Sequence, residues 1–410
     1  MRRPHYAWAV CLGGALALCT VVGFGVNIFT VYQPYIITQN GFTNAQGSLI
    51  TTTRSLFIVA AMMSVNQLCA RFSLRRVMTF GMLLLALSCL CFGLASTFPT
   101  YCVAAALTGL AYGYGGMVPL ALVIGHWFRD RRGFALGLAS AGSGVSTIFA
   151  PPVITALIEN HGLRTAFWAE AGLVLLFAFL VWLLIRNSPE ELGMTPYHQG
   201  KENAPLPPPT PAPEGMNRWL YLALLFASFP TGASGGPGFS HITVLYTSVG
   251  YDSMMVATLV SLLGVMICVG KVLCGQVFDA WGGIRGNWYI YGVFFVSFIL
   301  CCMAPLGGAV MPYVAIFLFG LGAPLSHIAP ASWAEDLCGS QGYESAVRSF
   351  TVAFAIGMLV FGPTPGILAD ITGSYVPSYA LFALTLVLSL AIVQYAYFKL
   401  KVGQQPAKQK

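Results

Sequence analysis

Long apolar runs recur along this chain, and their length constrains its fold more than any other feature. A helix needs about 20 apolar residues to cross the hydrocarbon core of a bilayer, and the 410-residue sequence contains twelve such runs. The runs are continuous rather than alternating with period two, which excludes a membrane β-barrel. The sequence therefore predicts an all-α polytopic membrane protein with twelve transmembrane helices. Their approximate limits are 8–37, 46–69, 77–96, 100–125, 133–157, 165–186, 218–247, 254–278, 287–305, 310–330, 346–369 and 376–398.

The composition excludes a soluble globular protein. Hydrophobic residues make up 57% of the chain and charged residues only 8%, whereas soluble domains carry about 25% charged residues. A soluble fold with so few charges would lack the polar surface needed to cover its core. The eleven cysteines show neither a metal-binding spacing nor a disulfide pattern, because most lie in apolar runs where cysteine behaves as a small hydrophobic residue.

Basic residues fall on one side of the predicted topology. The even number of spans places both termini on that side, and Arg164 is the one loop cation on the other side. Because positively charged loops stay in the cytoplasm, the sequence predicts a multi-pass protein of the cytoplasmic (inner) membrane with both termini cytoplasmic. The cytoplasmic cations are Arg2, Arg3, Arg71, Arg75, Arg76, Arg129, Arg131, Arg132, Arg186, Lys201, Arg218, Arg285 and Arg348, with the C-terminal lysines.

A polar interruption divides the chain into two halves. Residues 187–217 contain the run PLPPPTPAPEG and predict an extended cytoplasmic linker between an N-terminal six-helix half, 1–186, and a C-terminal six-helix half, 218–410. The second and eighth spans run into similar charged loops, NQLCARFSLRR and CGQVFDAWGGIR. This similarity between the halves matches the parallel repeat of one large class of transporters.

The loop after the eighth span carries the most specific motif. It resembles the G-x-x-x-D-x-x-G-x-x-R loop of the major facilitator superfamily at Gly275, Asp279, Gly282 and Arg285. The resemblance implies the twelve-helix major facilitator fold, with an aspartate that caps a helix and gates the cytoplasmic side. The copy in the first half is degenerate, because Asn66 and Ala70 replace the glycine and the aspartate.

Three further stretches, 127–146, 187–196 and 241–252, resemble the monocarboxylate-transporter and oxalate:formate-antiporter branch of that superfamily. In that branch a cation lies on the eighth span, eight residues before the loop aspartate. The matching residue here is Lys271 before Asp279, although lysine replaces the more usual arginine. The antiporter also uses a cation on its eleventh span, and residues 349–362 contain none, which argues against oxalate as the cargo.

Lys271 is the leading candidate for binding substrate. Eight residues separate it from Asp279, which places it roughly 12 Å from the cytoplasmic end of its helix. Snorkelling to the headgroups is the alternative, but a lysine side chain spans only about half that distance. A cation near mid-membrane is costly unless it lines a pathway, so we expect Lys271 to bind a substrate carboxylate.

Arg54 is the second cation within a span. It lies roughly 10 Å from the outer end of the second span, so it either lines the pathway or snorkels outward. It also lies about two helical turns higher in its helix than Lys271. The two cations therefore bind one small anion only if their side chains bend toward each other.

Three groups are candidates for carrying a coupling proton. Lys271 itself would do so by losing its charge in an empty site. Glu170, near the outer end of the sixth span, is the second candidate, although an interfacial acid close to Arg164 is the preferred interpretation of it. His327 in the tenth span is the third, and a packing role explains it at least as well.

Polar and aromatic residues near the outer ends of two spans complete the candidate site. Tyr32 and Tyr35 flank Gln33 and Pro34 in the first span, and His241 lies in the seventh. They suit a binding wall. An interfacial aromatic belt explains the tyrosines equally well, and packing explains the histidine equally well.

The sequence thus predicts a secondary active transporter of a small organic anion, a monocarboxylate, that works by alternating access with proton symport or anion exchange. No phosphate-binding loop or metal-ligand cluster indicates an enzyme, a cofactor or a metal site. We expect a monomer in lipid that binds a carboxylate together with protons or a counter-anion, and no nucleic acid. Two alternatives stay open, a drug/proton exporter of the same fold and a non-transporting membrane sensor.

Overall fold

The computed structural model describes residues 5–129, 132–198, 213, 215–326, 328–400 and 402, with no description of the side chains at 132, 133, 340 and 344. Within these residues the structure consists of helices and loops, and its one β-contact is a parallel bridge between Phe128 and Tyr197. The all-α prediction is confirmed. The first six spans are Ala7–Asn40, Asn44–Arg71, Leu74–Leu94, Phe98–Trp127, Phe134–His161 and Leu163–Leu184.

The last six spans include two irregular ones. The seventh consists of Arg218–Ala233, a π-helical segment Ser234–Gly238 and Ile242–Ser248. The eighth and ninth form one helical element, Ser253–Cys302, which is interrupted at Gly282. The remaining spans are Val310–Gly339, Gln341–Thr372 and Val376–Lys399. Ten described helices are individually long and apolar enough to cross a membrane. Dividing one at Gly282 and adding the discontinuous seventh gives the twelve predicted spans.

The first span also contains a π-helical segment, Cys19–Ile28, so the first spans of both halves share this irregularity. Glycines in these segments allow close helix packing. A Cβ atom on Gly23 would overlap Ser146 of the fifth span, and one on Gly236 would overlap Met358 of the eleventh. The similarity between the halves, predicted from their loops, therefore extends to helix geometry.

The chain divides into two compact units. The first comprises Met1–Phe42 and Leu49–Ala204, and the second comprises Thr43–Ser48 and Pro205–Lys410. Most of the predicted linker, residues 199–212 and 214, lies outside the described residues.

The described beginning of that linker packs against the first unit. The backbone N–H of Tyr197 donates to the carbonyl of Trp127 at 2.8 Å. The Tyr197 ring lies 5.6 Å from the ring of Trp8 and 5.6 Å from that of Phe128. Residues up to His198 are thus part of the helical unit rather than a free spacer.

In the second unit, Asp370 caps the start of the second span. Its carboxylate accepts hydrogen bonds from the backbone N–H of Asn44 at 2.9 Å and of Ala45 at 2.8 Å. The Asn44 side-chain amide also donates to it, and the Tyr375 hydroxyl donates to Asn44 Oδ1 at 2.8 Å. A carboxylate at a helix N-terminus satisfies unpaired N–H groups and complements the helix dipole. These contacts explain why residues 43–48 group with the second unit.

Candidate functional site

Glu170 lies at the centre of a buried polar cluster in the first unit, formed by Tyr32, Cys89 and Glu170. The Glu170 side chain is only 4% exposed. The Tyr32 hydroxyl donates to its Oε2 atom at 2.7 Å, and the Cys89 thiol donates to its Oε1 atom at 3.7 Å. Both donors are uncharged groups, so the described structure holds this carboxyl by neutral hydrogen bonds.

The interfacial interpretation of Glu170 is wrong for this structure. Glu170 is buried, and Arg164 interacts elsewhere, with its Cζ atom 4.2 Å from the centroid of the Trp168 ring. The sequence could not show this, because Tyr32 is 138 residues away from its carboxyl partner.

A small cavity adjoins the Glu170 carboxyl, and its walls are mostly aromatic. The Tyr32 ring stacks on Phe167 with 4.1 Å between ring centroids, and Phe167 stacks on Phe92 at 5.1 Å. These rings keep the surroundings of the carboxyl largely apolar. The lining residues are Phe24, Gly25, Phe29, Tyr32, Leu85, Cys89, Phe92, Thr108, Phe167 and Glu170.

Arg54 contacts Phe29, one of the residues that line this cavity. Its Cζ atom lies 5.1 Å from the centroid of the Phe29 ring. The Arg54 side chain is 5% exposed, so it does not snorkel outward in this structure. Its Nε and Nη1 atoms are buried with no hydrogen-bond partner among the described residues. A cation–π contact compensates only part of the cost of burying a charge.

Gln33, which lies between the two candidate tyrosines in the sequence, also belongs to this site. It follows Phe29 by four residues in the helical segment Phe29–Asn40, and residues four apart lie on one helix face. The side chain is 2% exposed, and neither its amide nitrogen nor its amide oxygen has a hydrogen-bond partner within the described part of the chain. Nearly all buried polar groups have partners, so Gln33 and Arg54 are unusual. No sequence signal shows that Arg54 lies over Phe29.

Lys271 lies in the second unit, half-buried on the Ser253–Cys302 helix. The preceding Gly270 packs against the tenth span, since a Cβ atom there would lie 2.7 Å from the Gly320 carbonyl oxygen. The following Val272 is exposed. Lys271 thus lies at the edge between a packed face and an exposed face of its helix. Arg54, the other predicted cation, belongs to the first unit.

Two of the remaining predicted polar residues, Tyr35 and His241, have protein partners. The Tyr35 hydroxyl donates to Glu159 at 3.1 Å. His241 is fully buried, with Nε2 2.7 Å from the Ser48 hydroxyl and Nδ1 2.9 Å from the Pro237 carbonyl oxygen. His327 lies outside the described residues. The structure therefore places Tyr35 and His241 in hydrogen-bonded packing environments.

The motif loop owes its shape to one of its four predicted residues. Gly282 has φ +74° and ψ 172°, a conformation that costs residues with a Cβ atom considerably more than glycine. Asp279 and Arg285 are exposed, and Gly275 has open space around the position of a Cβ atom. Gly282 thus interrupts the helix between the eighth and ninth spans.

A further polar cluster, which includes Asp336 of the tenth span, lies in the second unit. The Tyr397 hydroxyl donates to Asp336 Oδ2 at 2.8 Å. The Trp333 indole N–H donates to Asn287 Oδ1 at 2.8 Å. These bonds join the ninth, tenth and twelfth spans across at least 46 residues of sequence, which is why no local pattern reveals them.

The described residues contain no group of three or more His, Cys, Asp or Glu side chains able to hold a metal ion. All eleven cysteines are free. The site offers a ligand a buried cation, an amide and aromatic walls, and the Glu170 carboxyl adjoins its cavity. This arrangement suits binding of a small polar ligand.

Sequence comparison matches this chain to a protein family and to individual relatives. The family described as Major Facilitator Superfamily matches residues 15–362. Monocarboxylate transporter 12 of Rattus norvegicus is 27% identical over 320 residues, which cover 71% of this chain and 64% of that protein. The aligned part thus spans just under two thirds of that relative's length.

Solved structures with the same fold are also transporters. A bacterial homologue of the human lysosomal transporter Spinster, in an inward-facing and unoccupied conformation, matches with a TM-score of 0.69 at 16% identity over 98% of both chains. A peptide transporter, POT, matches with a TM-score of 0.74 at 13% identity, covering 98% of this chain and 96% of that chain. These identities show the fold alone, and they confirm the predicted twelve-helix architecture in two halves.

Proposed function

This chain belongs to the Major Facilitator Superfamily, and we propose that it carries a small organic anion, a monocarboxylate, across the membrane by secondary active transport. Family and relatives identify it as a multi-pass membrane transporter rather than an enzyme. The proposal adds the class of cargo, an alternating-access cycle between its two halves, and coupling to protons or to a counter-anion.

Arg54 is the observation that carries the proposal. Arginine remains charged at any physiological pH, and this one is buried with Nε and Nη1 unpaired within the described residues. Removing a charge from water costs several kcal/mol. A substrate carboxylate would offset that cost through charge-assisted hydrogen bonds. An anionic cargo therefore suits this site better than a cationic drug.

Two further residues support an anionic cargo. Lys271 is a second cation, which is half-buried and lies in the other unit. The buried Gln33 amide can donate a hydrogen bond to an oxygen of the ligand. Tyr32, Tyr35 and His241 already have protein partners, so we assign them to positioning rather than to the main ligand contacts. The similarity to a protein named monocarboxylate transporter 12 supports a carboxylate as the chemical class.

Counterflow in proteoliposomes tests this function. Vesicles that contain the purified protein and unlabelled lactate, pyruvate or formate are expected to take up the same labelled acid. Because a hydrogen bond to a charged group contributes about 1.5–3 kcal/mol, Arg54→Gln is expected to weaken apparent affinity by about ten- to hundred-fold. Lys271→Gln is expected to weaken it as well, and Arg54→Lys is expected to retain part of the activity.

Arg164→Gln is the matched control, because Arg164 is an exposed cation that stacks on Trp168. It is expected to transport like the wild type. Normal counterflow by both Arg54→Gln and Lys271→Gln would contradict the proposal. Movement of cationic drugs instead of acids would favour the exporter, and binding of acids without any transport would favour the sensor.

A further inference from the structure

Glu170 is a buried carboxyl that the proposed substrate contacts do not use. It accepts hydrogen bonds from Tyr32 and Cys89, and it borders the cavity that Phe29 also lines. We propose that Glu170 binds and releases the coupling proton during transport, and that Tyr32 positions its carboxyl. This inference rests on the proposed function and selects its proton-coupled form.

The groups that face Glu170 leave its charge without a direct counter-charge. Tyr32 from the first span and Cys89 from the third are the two titratable groups in contact with it. Thr108 from the fourth span lines the same cavity and bonds to Ser88. A carboxylate in apolar surroundings with neutral donors alone is costly, so its charge depends on nearby charged groups.

Most other charged groups on the neighbouring helices lie in exposed positions, and the part-buried Arg75 of the third span stacks on Trp182, twelve residues along the sixth span from Glu170. On the fifth span, Glu159 and His161 are exposed, and Glu159 accepts the Tyr35 hydrogen bond. On the sixth span, Arg164 is exposed and stacks on Trp168. Exposed charges are screened by solvent and ions, and Arg54 is the one buried cation among the described residues of the first unit.

Phe29 connects Arg54 to Glu170. Its ring lies under the Arg54 guanidinium and forms part of the cavity wall at Glu170. Tyr32, which holds the carboxyl, follows Phe29 by three residues on the same helix. Charges in such low-dielectric surroundings influence one another over several ångströms.

This arrangement explains how substrate and proton would travel together. While Arg54 is unneutralised, its field favours the charged form of Glu170. A substrate carboxylate that binds Arg54 cancels this field, so a charged Glu170 becomes less favourable and takes up a proton. One anion and one proton then cross as a neutral load, and both are released when the site opens on the other side.

Two transport assays on Glu170→Gln test the inference. Lactate counterflow at equal pH requires no net proton movement and is expected to stay within about twofold of wild type. Lactate accumulation driven by an imposed pH gradient is expected to fall at least about tenfold. Glu159→Gln is the matched control, since it removes a glutamate that also accepts a tyrosine hydroxyl but is exposed, and both of its rates are expected to match wild type.

Two results would overturn the inference while leaving anion transport intact. One is gradient-driven accumulation by Glu170→Gln at the wild-type level. The other is a wild-type protein that exchanges lactate but does not respond to a pH gradient.

A second measurement on the unmodified protein covers the case in which Glu170→Gln does not fold. Dicyclohexylcarbodiimide reacts with protonated carboxyls in apolar surroundings. Mass spectrometry is expected to find it on Glu170, with labelling that declines as pH rises and that increases when lactate is bound. Labelling that does not change with pH, or no labelling of Glu170, would refute the proton role. If the wild type transports none of the acids, the proposed function fails, and this labelling still tests Glu170.

Discussion

Tyr32 connects two parts of the first unit. Its hydroxyl donates to the buried Glu170 carboxyl, and its ring stacks on Phe167. It also lies next to Gln33, whose amide has no partner among the described residues. Tyr32 therefore links the Glu170 carboxyl to the helix that contacts Arg54 through Phe29. Tyr32 is 1% exposed, so its hydroxyl reaches a substrate only if this cluster opens.

Replacing Tyr32 by phenylalanine tests how firmly the cluster is held. Tyr32→Phe keeps the stacked ring but leaves one buried oxygen of Glu170 without its donor. Because an unsatisfied buried polar group costs about 1–3 kcal/mol, we expect a clearly lower midpoint of thermal unfolding for the purified protein. Tyr35→Phe is the control, since the Tyr35 hydroxyl donates to an exposed glutamate. Equal shifts for both variants would show that the Glu170 bond contributes no special stability.

At the scale of elements, the π-helical segments of the first and seventh spans are the most distinctive feature. A π-helical turn widens the helix locally and leaves its hydrogen-bonding pattern irregular, and such turns are frequent at functional sites. In the first span the segment ends at Ile28, directly before Phe29 and the helix that carries Tyr32 and Gln33. We therefore expect movements of this segment to change the position of the candidate site.

Gly23 allows the fifth span to approach this segment, and replacing it tests that role. A Cβ atom on Gly23 would overlap the Ser146 hydroxyl, whereas one on Gly172 of the sixth span has open space. We expect Gly23→Ala to lower the unfolding midpoint, because inserting a methyl group into a packed contact costs about 1–3 kcal/mol. Gly172→Ala is expected to leave the midpoint unchanged or to raise it, since alanine is the better helix former by about 1 kcal/mol. An equally small effect of both substitutions would mean that the contact at Gly23 rearranges freely.

The limits of the first span followed from the sequence, but its internal irregularity did not. The predicted and observed first spans are 8–37 and Ala7–Asn40, because the length of an apolar run is a local property. The break at Gly282 coincides with the predicted motif glycine. The π-helical segment Cys19–Ile28 went unpredicted, because it depends on how closely a neighbouring helix packs against its glycines.

At the scale of the whole molecule, the distribution of charge predicts the orientation of the protein in the membrane. The net charge is +7, and in the predicted topology the loop cations concentrate on the side of both termini. Since basic loops resist translocation, we expect a C-terminal green fluorescent protein fusion in a bacterial host to fluoresce. A fusion of alkaline phosphatase after Gly162, in the loop beside Arg164, is expected to be active. An active phosphatase at the C-terminus would reverse the proposed orientation.

Local features of the sequence were sufficient to assign the class of this protein. Apolar runs of membrane-spanning length, few charges and a motif loop are all local properties, so they predicted a membrane protein of the major facilitator type. The family match confirms that superfamily. The sequence also singled out Arg54 and Lys271, because a charge inside an apolar run is visible without any structure.

Only the tertiary structure determined which side chains lie together. Glu170 meets a hydroxyl 138 residues away, and Arg54 lies over Phe29 because two separate spans pack side by side. Neither contact can be predicted from the periodicity of the local sequence. The cost of a buried charge depends on its neighbours from other helices, so the environments of Arg54 and Glu170, and with them the proposed coupling of anion and proton, became apparent only from the packed helices.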